Sequence, residues 1–156
     1  MDAKQINGMA AAATLHCLVG CAIGEIIGLI LGTALGWHGA ITIIISIGLA
    51  FLFGYGLSVL PLIGQLPLRR ALAIVLVADT LSITTMELTD NAVMALIPGA
   101  MNAGLVNPLF WVSMSIAMLA AFMAAFPVNR WLLMRGKGHA LTHAYHHENH
   151  NHHGAH

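Results

Sequence analysis

Two thiols, four carboxylates and several methionines stand in stretches otherwise built from leucine, isoleucine, valine, alanine and glycine. Cys17, Cys21 and Glu25 recur at a spacing of four, which places them on one face of a helix, with His16 one position over. Further along, Asp79, Met86 and Asp90 share a helix face. Glu87, Asn91 and Met94 lie on its flank, with Thr80, Ser82 and Thr84 nearby. Met114 and Met118 form another pair four apart. Thiolate, thioether and imidazole are soft or borderline ligands that suit copper(I), while imidazole and carboxylate suit zinc or another divalent ion. Carboxylates in an apolar setting also serve proton relays. A plainer reading stands beside each of these: buried cysteines act as small hydrophobes, methionines fill gaps, and His16 caps a polar network near an interface. A disulfide between Cys17 and Cys21 would strain a regular helix.

The composition says what must position these groups. Of 156 residues, 58% are hydrophobic and 8% charged, with a net charge of zero. A soluble domain carries about 25% charged residues, so a conventional soluble enzyme is excluded. A nucleic-acid binder, which needs a basic face, is excluded as well. No nucleophile–base arrangement or phosphate loop is visible, and we expect no enzyme activity. A bilayer core takes about 20 largely apolar residues. Four stretches qualify, at about 15–37, 40–62, 71–97 and 108–133. The expected fold is therefore an all-α integral membrane protein with four transmembrane helices in residues 1–137, followed by a His-rich cytoplasmic tail at 138–156. The first stretch is too long and too polar for the core of a cleaved signal and reads as a retained helix.

Turn formers separate the spans: Gly36-Trp37-His38-Gly39, Ile63-Gly64-Gln65-Leu66-Pro67 and Pro98-Gly99-Ala100-Met101-Asn102. With the amino terminus inside, Lys4, Arg69, Arg70, Arg130, Arg135 and Lys137 all fall on the cytoplasmic side, so both termini are expected there, at the cell (inner) membrane. Trp37 and Trp111 then sit near the outer interface and Trp131 near the inner one. Gly20, Gly24, Gly28, Gly32 and Gly36 form an unbroken stripe, echoed by Ala50, Gly54 and Ser58. Such stripes let helix backbones approach closely in lipid. The neighbour is either another span of this chain or a second subunit, and a homo-oligomer is expected.

Glu25, Asp79, Glu87 and Asp90 lie within the spans without a lysine or arginine at their depth. Each ionised carboxylate near the bilayer centre costs roughly 2.5–3.5 kcal/mol. Either some hold protons, or a cation from outside the chain supplies the missing charge. Counted by depth, Asp79 matches Cys17 and Cys21, and Glu25 matches Met86 and Glu87, which makes two polar layers.

The residues at 15–17, 20–21 and 24–25 (Leu-His-Cys, Gly-Cys and Gly-Glu), Phe53-Gly54-Tyr55, Asp79-Thr80, Ser82, Met86-Glu87 and Asp90-Asn91 carry a resemblance. So do Pro98-Gly99-Ala100-Met101, Ala103-Gly104, Phe110-Trp111, Pro127-Val128-Asn129-Arg130-Trp131 and Gly138-His139-Ala140. Over about residues 15–143 the chain resembles the bacterial membrane proteins grouped as domain of unknown function 4396. The resemblance implies a compact multi-helix membrane domain to whose pattern these polar positions belong. It implies no activity.

From Gly138 onward the tail has eight histidines in nineteen residues, and its last dozen residues lie beyond that pattern. His139, His143, His146 or His147, and His150 fall on one face of a helix, where imidazoles four apart chelate an ion. A solvated tail without metal and a purification tag are the alternatives. Taken together, the residues suggest a membrane protein that binds and transports a transition-metal ion, copper favoured and zinc or another divalent ion next. Its site would be built from His16, Cys17, Cys21, Glu25, Asp79, Met86, Glu87, Asp90, Met114 and Met118, with the tail as a cytoplasmic sink. Two other readings are a proton- or solute-coupled transporter using the carboxylates, and a structural accessory subunit of a membrane complex.

Overall fold

The computed structural model describes residues 3–37, 39–60, 63 and 67–135. Among these the chain is all helix and turn: α1 (Ala3–Ala34), α2 (Ala40–Val59), α3 (Leu68–Leu96), a short 3-10 turn (Ala100–Asn102) and α4 (Pro108–Met134). Three of them, α1, α2 and α4, are long and apolar enough to cross a membrane. At 29 residues, α3 spans about 43 Å, but it carries three carboxylates. The first helix begins at Ala3, well before the apolar stretch that announces it.

The helices form a ring in which α1 packs on α2, α2 on α3, α3 on α4 and α4 on α1. Neighbours are antiparallel. Along the α1–α2 seam Gly20 faces Gly54, Gly24 faces Ala50, Gly28 faces Ser46 and Gly32 faces Thr42. The glycine stripe is thus occupied within the chain, by the small-residue face of α2. A Cβ at Gly20 would fall 2.6 Å from the Gly54 Cα, so the backbones touch. Contact this close supplies the dispersion energy that lipid cannot supply through a hydrophobic effect.

The connections behave as their residues require. Gly36, Gly39 and Gly99 take positive φ values of 68°, 63° and 82°, and they turn the chain between helices. The α4 start is capped by Asn107, whose Oδ1 accepts from the Leu109 amide at 3.0 Å, with Pro108 at the first helical position. Hydroxyls inside the apolar segments are satisfied locally: Thr14, Thr33, Thr85, Thr89 and Ser115 each donate to the carbonyl four residues earlier. Pro127 sits inside α4, where tertiary packing tolerates it.

The starts of α1 and α3 and the end of α4 share one end of the ring. Arg130 Nε donates to Asn7 Oδ1 at 2.7 Å there, and deeper in, Asn129 Nδ2 donates to Thr14 Oγ1 at 2.8 Å. Lys4, Arg69, Arg130 and Arg135 lie at this basic end. Trp131 lies there too, with the Arg135 guanidinium 4.5 Å above its ring. Trp37 and Trp111 lie toward the opposite end, as their positions in the chain predict.

Candidate functional site: an acidic cavity and a sulfur-rich core

Three carboxylates meet where α1 and α3 run side by side away from the basic end. Glu87 and Asp90 are each only 5% exposed, although α3 turns leucines such as Leu81, Leu88 and Leu96 outward. Glu25 comes from α1 and its carboxyl lies within hydrogen-bond reach of Asp90. Glu87 lies beside both. These three groups line a cavity of about 440 Å³ at the end opposite the basic residues. Asn91, Met94, Ser46, Thr42 and the 3-10 turn are also part of its wall.

The electrostatics of this cavity are one-sided. Glu25 Oε1, both oxygens of Glu87 and Asp90 Oδ1 are buried without a hydrogen-bond donor in the described chain. Among the described residues no lysine, arginine or histidine lines the cavity. Buried carboxylates in this condition are costly unless neutralised, and a carboxyl–carboxyl contact in particular needs a proton or a cation between the oxygens.

A second polar group lies deeper, toward the basic end. Asp79, 5% exposed, lies near the Ser58 hydroxyl, while its Oδ2 and the fully buried Ser82 Oγ have no hydrogen-bond partner in the described chain. Cys17 Sγ lies 4.0 Å from Ser58 Oγ and close to Asp79. Cys21, one turn further, neighbours Glu87. Both cysteines are free thiols, each 1% exposed, packed with Met86, Ile83, Ala50, Ala121 and Ala125.

The sequence-derived candidates therefore separate into groups. Glu25, Glu87 and Asp90 come together, and Cys17, Cys21, Met86 and Asp79 form an adjoining core. The depth count proves accurate for Asp79 beside Cys17. Glu25, however, meets Asp90, one turn further along α3 than the residues counted level with it. His16 is exposed on α1, near enough to Asp79 for their charges to interact. Met114 and the part-buried Met118 belong to a different apolar cluster, with Phe110, Met94, Ala100, Ala103 and Ala117. His139, His143, His146, His147 and His150 lie outside the described residues. Among the described residues no three histidine, cysteine, aspartate or glutamate side chains are grouped closely enough to hold a metal ion.

Ser58 was legible only as a member of a small-residue repeat, and its place beside Cys17 and Asp79 had no sequence signal. The Asn129–Thr14 bond, 115 residues apart in the chain, had none either.

Comparison with curated proteins and with solved structures finds no match. The family comparison does, over residues 7–138, which takes in all four helices and both polar groups. The chain belongs to the family described as domain of unknown function 4396.

Proposed function

We propose that this is a small four-span membrane transporter whose acidic cavity binds protons and couples their movement to that of a second solute. Both termini lie on the cytoplasmic side, where the basic end meets the inner leaflet. As the fourth span, α3 lies in the ring between α2 and α4, with leucines outward and carboxylates inward. The observation that carries the reading is the Glu25–Asp90 contact with Glu87 beside it, in a cavity that no basic side chain lines among the described residues. Ionisable residues in such places mark ion and proton routes. An open cavity on one side of a neutralisable acid pair is the half of an alternating-access cycle in which the pair loads.

Proteoliposomes containing a pH-sensitive dye and challenged with a panel of cations and small solutes test this. A solute that moves protons in the wild type and fails to do so with Glu25→Gln or Asp90→Asn supports the proposal. Solute movement indifferent to a pH gradient and to both substitutions rejects it.

The second reading, passage of a transition metal with copper favoured, rests on a different observation: Cys17, Cys21 and Met86 share one buried cluster, a soft donor set suited to copper(I). Under that reading copper uptake by the same liposomes is lost with Cys17→Ser and Cys21→Ser and persists with Glu25→Gln.

A further inference from the structure

We infer that the acidic cavity takes an organic cation, a substituted ammonium whose charge lies at the Glu25, Glu87 and Asp90 end and whose apolar body runs toward Trp37. The inference rests on the transporter reading and names the class of its second solute.

The cavity has the size and length for a molecule. Its volume of about 440 Å³ falls within the roughly 300–1,000 Å³ of small-molecule pockets. On α1, Glu25, Leu29 and Thr33 recur at a spacing of four and line one side of it, and Trp37 lines it beyond the helix end. Thr33 lies eight residues after Glu25, about 12 Å along the helix axis. A bare ion would fill only a small part of this space. Among the described residues no three histidine, cysteine, aspartate or glutamate side chains are grouped to hold a metal ion, so the charge belongs on a larger body.

The polar groups select the sign of that charge. Glu87 and Asp90, each 5% exposed, line the cavity, and both Glu87 oxygens and Asp90 Oδ1 are buried without a hydrogen-bond partner in the described chain. Donors in the wall are directed at the backbone instead. Thr33 Oγ1 donates to the Leu29 carbonyl at 2.8 Å, Thr42 Oγ1 to the Trp37 carbonyl at 3.1 Å and Asn91 Nδ2 to the Glu87 carbonyl at 2.9 Å. An anion would meet repulsion here, and a neutral solute would leave the acids uncompensated. A cation supplies the missing charge.

The rest of the lining fits an apolar body bearing that charge. Leu29, Ile43 and Met94 are aliphatic or thioether surfaces, and Trp37 and Phe110 add aromatic rings, whose faces attract ammonium groups. Phe110 is held edge to face against Trp111, with centroids 5.3 Å apart at 82°, and Trp111 Nε1 is itself tied to the Leu105 carbonyl at 2.9 Å. This part of the wall is therefore set before a ligand arrives, which lowers the ordering cost of binding.

The test uses the full chain in lipid nanodiscs at one fixed pH, with radiolabelled benzyltrimethylammonium as the probe and empty discs as the blank in equilibrium dialysis. The probe has no proton to lose, so its charge is constant. Saturable binding is expected, and neopentylbenzene, the uncharged isostere, should compete at least tenfold more weakly than unlabelled probe. Glu25→Gln and Glu87→Gln should each weaken binding at least tenfold. Trp37→Ala should weaken it several-fold and Trp37→Phe should restore most of that loss. Unchanged helical content and thermal midpoint in the Trp37 variants show that their effect is not misfolding. Absence of saturable binding to the wild type, equal competition by the isostere, or wild-type affinity in the glutamine variants overturns the inference. Proton movement driven by inorganic cations alone in the proteoliposome panel would also overturn it while leaving the transporter reading standing.

Discussion

Replacing Gly20 with alanine should loosen the α1–α2 seam, and the size of the effect follows from the geometry. The added Cβ would lie 2.6 Å from Gly54 Cα, 2.7 Å from Gly54 N and 3.0 Å from the Phe53 carbonyl carbon. Carbon atoms rest about 3.5–4.0 Å apart, so the helices must part by about 1 Å, and they have only backbone to yield. Overpacking of this kind costs about 1–3 kcal/mol. Alanine also favours the helix over glycine by about 1 kcal/mol, which partly masks the clash. The clean comparison is with Gly48→Ala, because Gly48 is in the middle of α2 with nothing within 4 Å of its added Cβ. The helix-propensity gain is common to both and cancels. Gly20→Ala should therefore be less stable than Gly48→Ala by about 1–3 kcal/mol, read from reversible SDS titration in mixed micelles followed by far-UV circular dichroism. If Gly20→Ala is as stable as Gly48→Ala, the reasoning about the seam is refuted.

Other consequences are checked in the same preparation. Asn129→Ala removes the buried donor to Thr14 and should cost about 0.6–1.7 kcal/mol, the range of interhelical hydrogen bonds in membranes; an unchanged SDS midpoint would count against that bond. Asn107→Ala should cost about 1 kcal/mol through loss of the α4 cap, whereas Asn107→Asp should retain it. Cys17 and Cys21, each 1% exposed, should resist maleimide in the folded protein and react fully in SDS, and mass spectrometry counts the adducts. Rapid labelling of native protein would show that the sulfur-rich core is open.

Much of the architecture was legible because lipid makes it so. A membrane helix must satisfy its own backbone, so long apolar stretches bounded by Gly36, Gly39, Pro98 and Gly99 translate directly into α1 to α4. The glycine stripe likewise announced a close helix contact. Its partner was not legible, since Gly20 would suit α2 of the same chain or of another copy equally well, and only the register Gly20–Gly54, Gly24–Ala50 settles it. The carboxylates stood out as isolated charges, and counting depth placed Asp79 beside Cys17. The same count set Glu25 level with Glu87, which does lie beside it, but gave no sign that Asp90, one turn further along α3, is the closer partner. Met114 and Met118 show the other limit. Their spacing matches a ligand pair, yet it equally matches a packing ridge, and the contacts place them in the apolar cluster around Phe110.

The central claim is that the Glu25–Asp90 pair holds a proton, and infrared spectroscopy of the reconstituted protein tests it most directly. At neutral pH the wild type should show a carboxylic C=O stretch near the protonated-acid region that shifts in heavy water and disappears with Glu25→Gln. A wild-type spectrum containing only carboxylate bands, unchanged by the substitution, would contradict it.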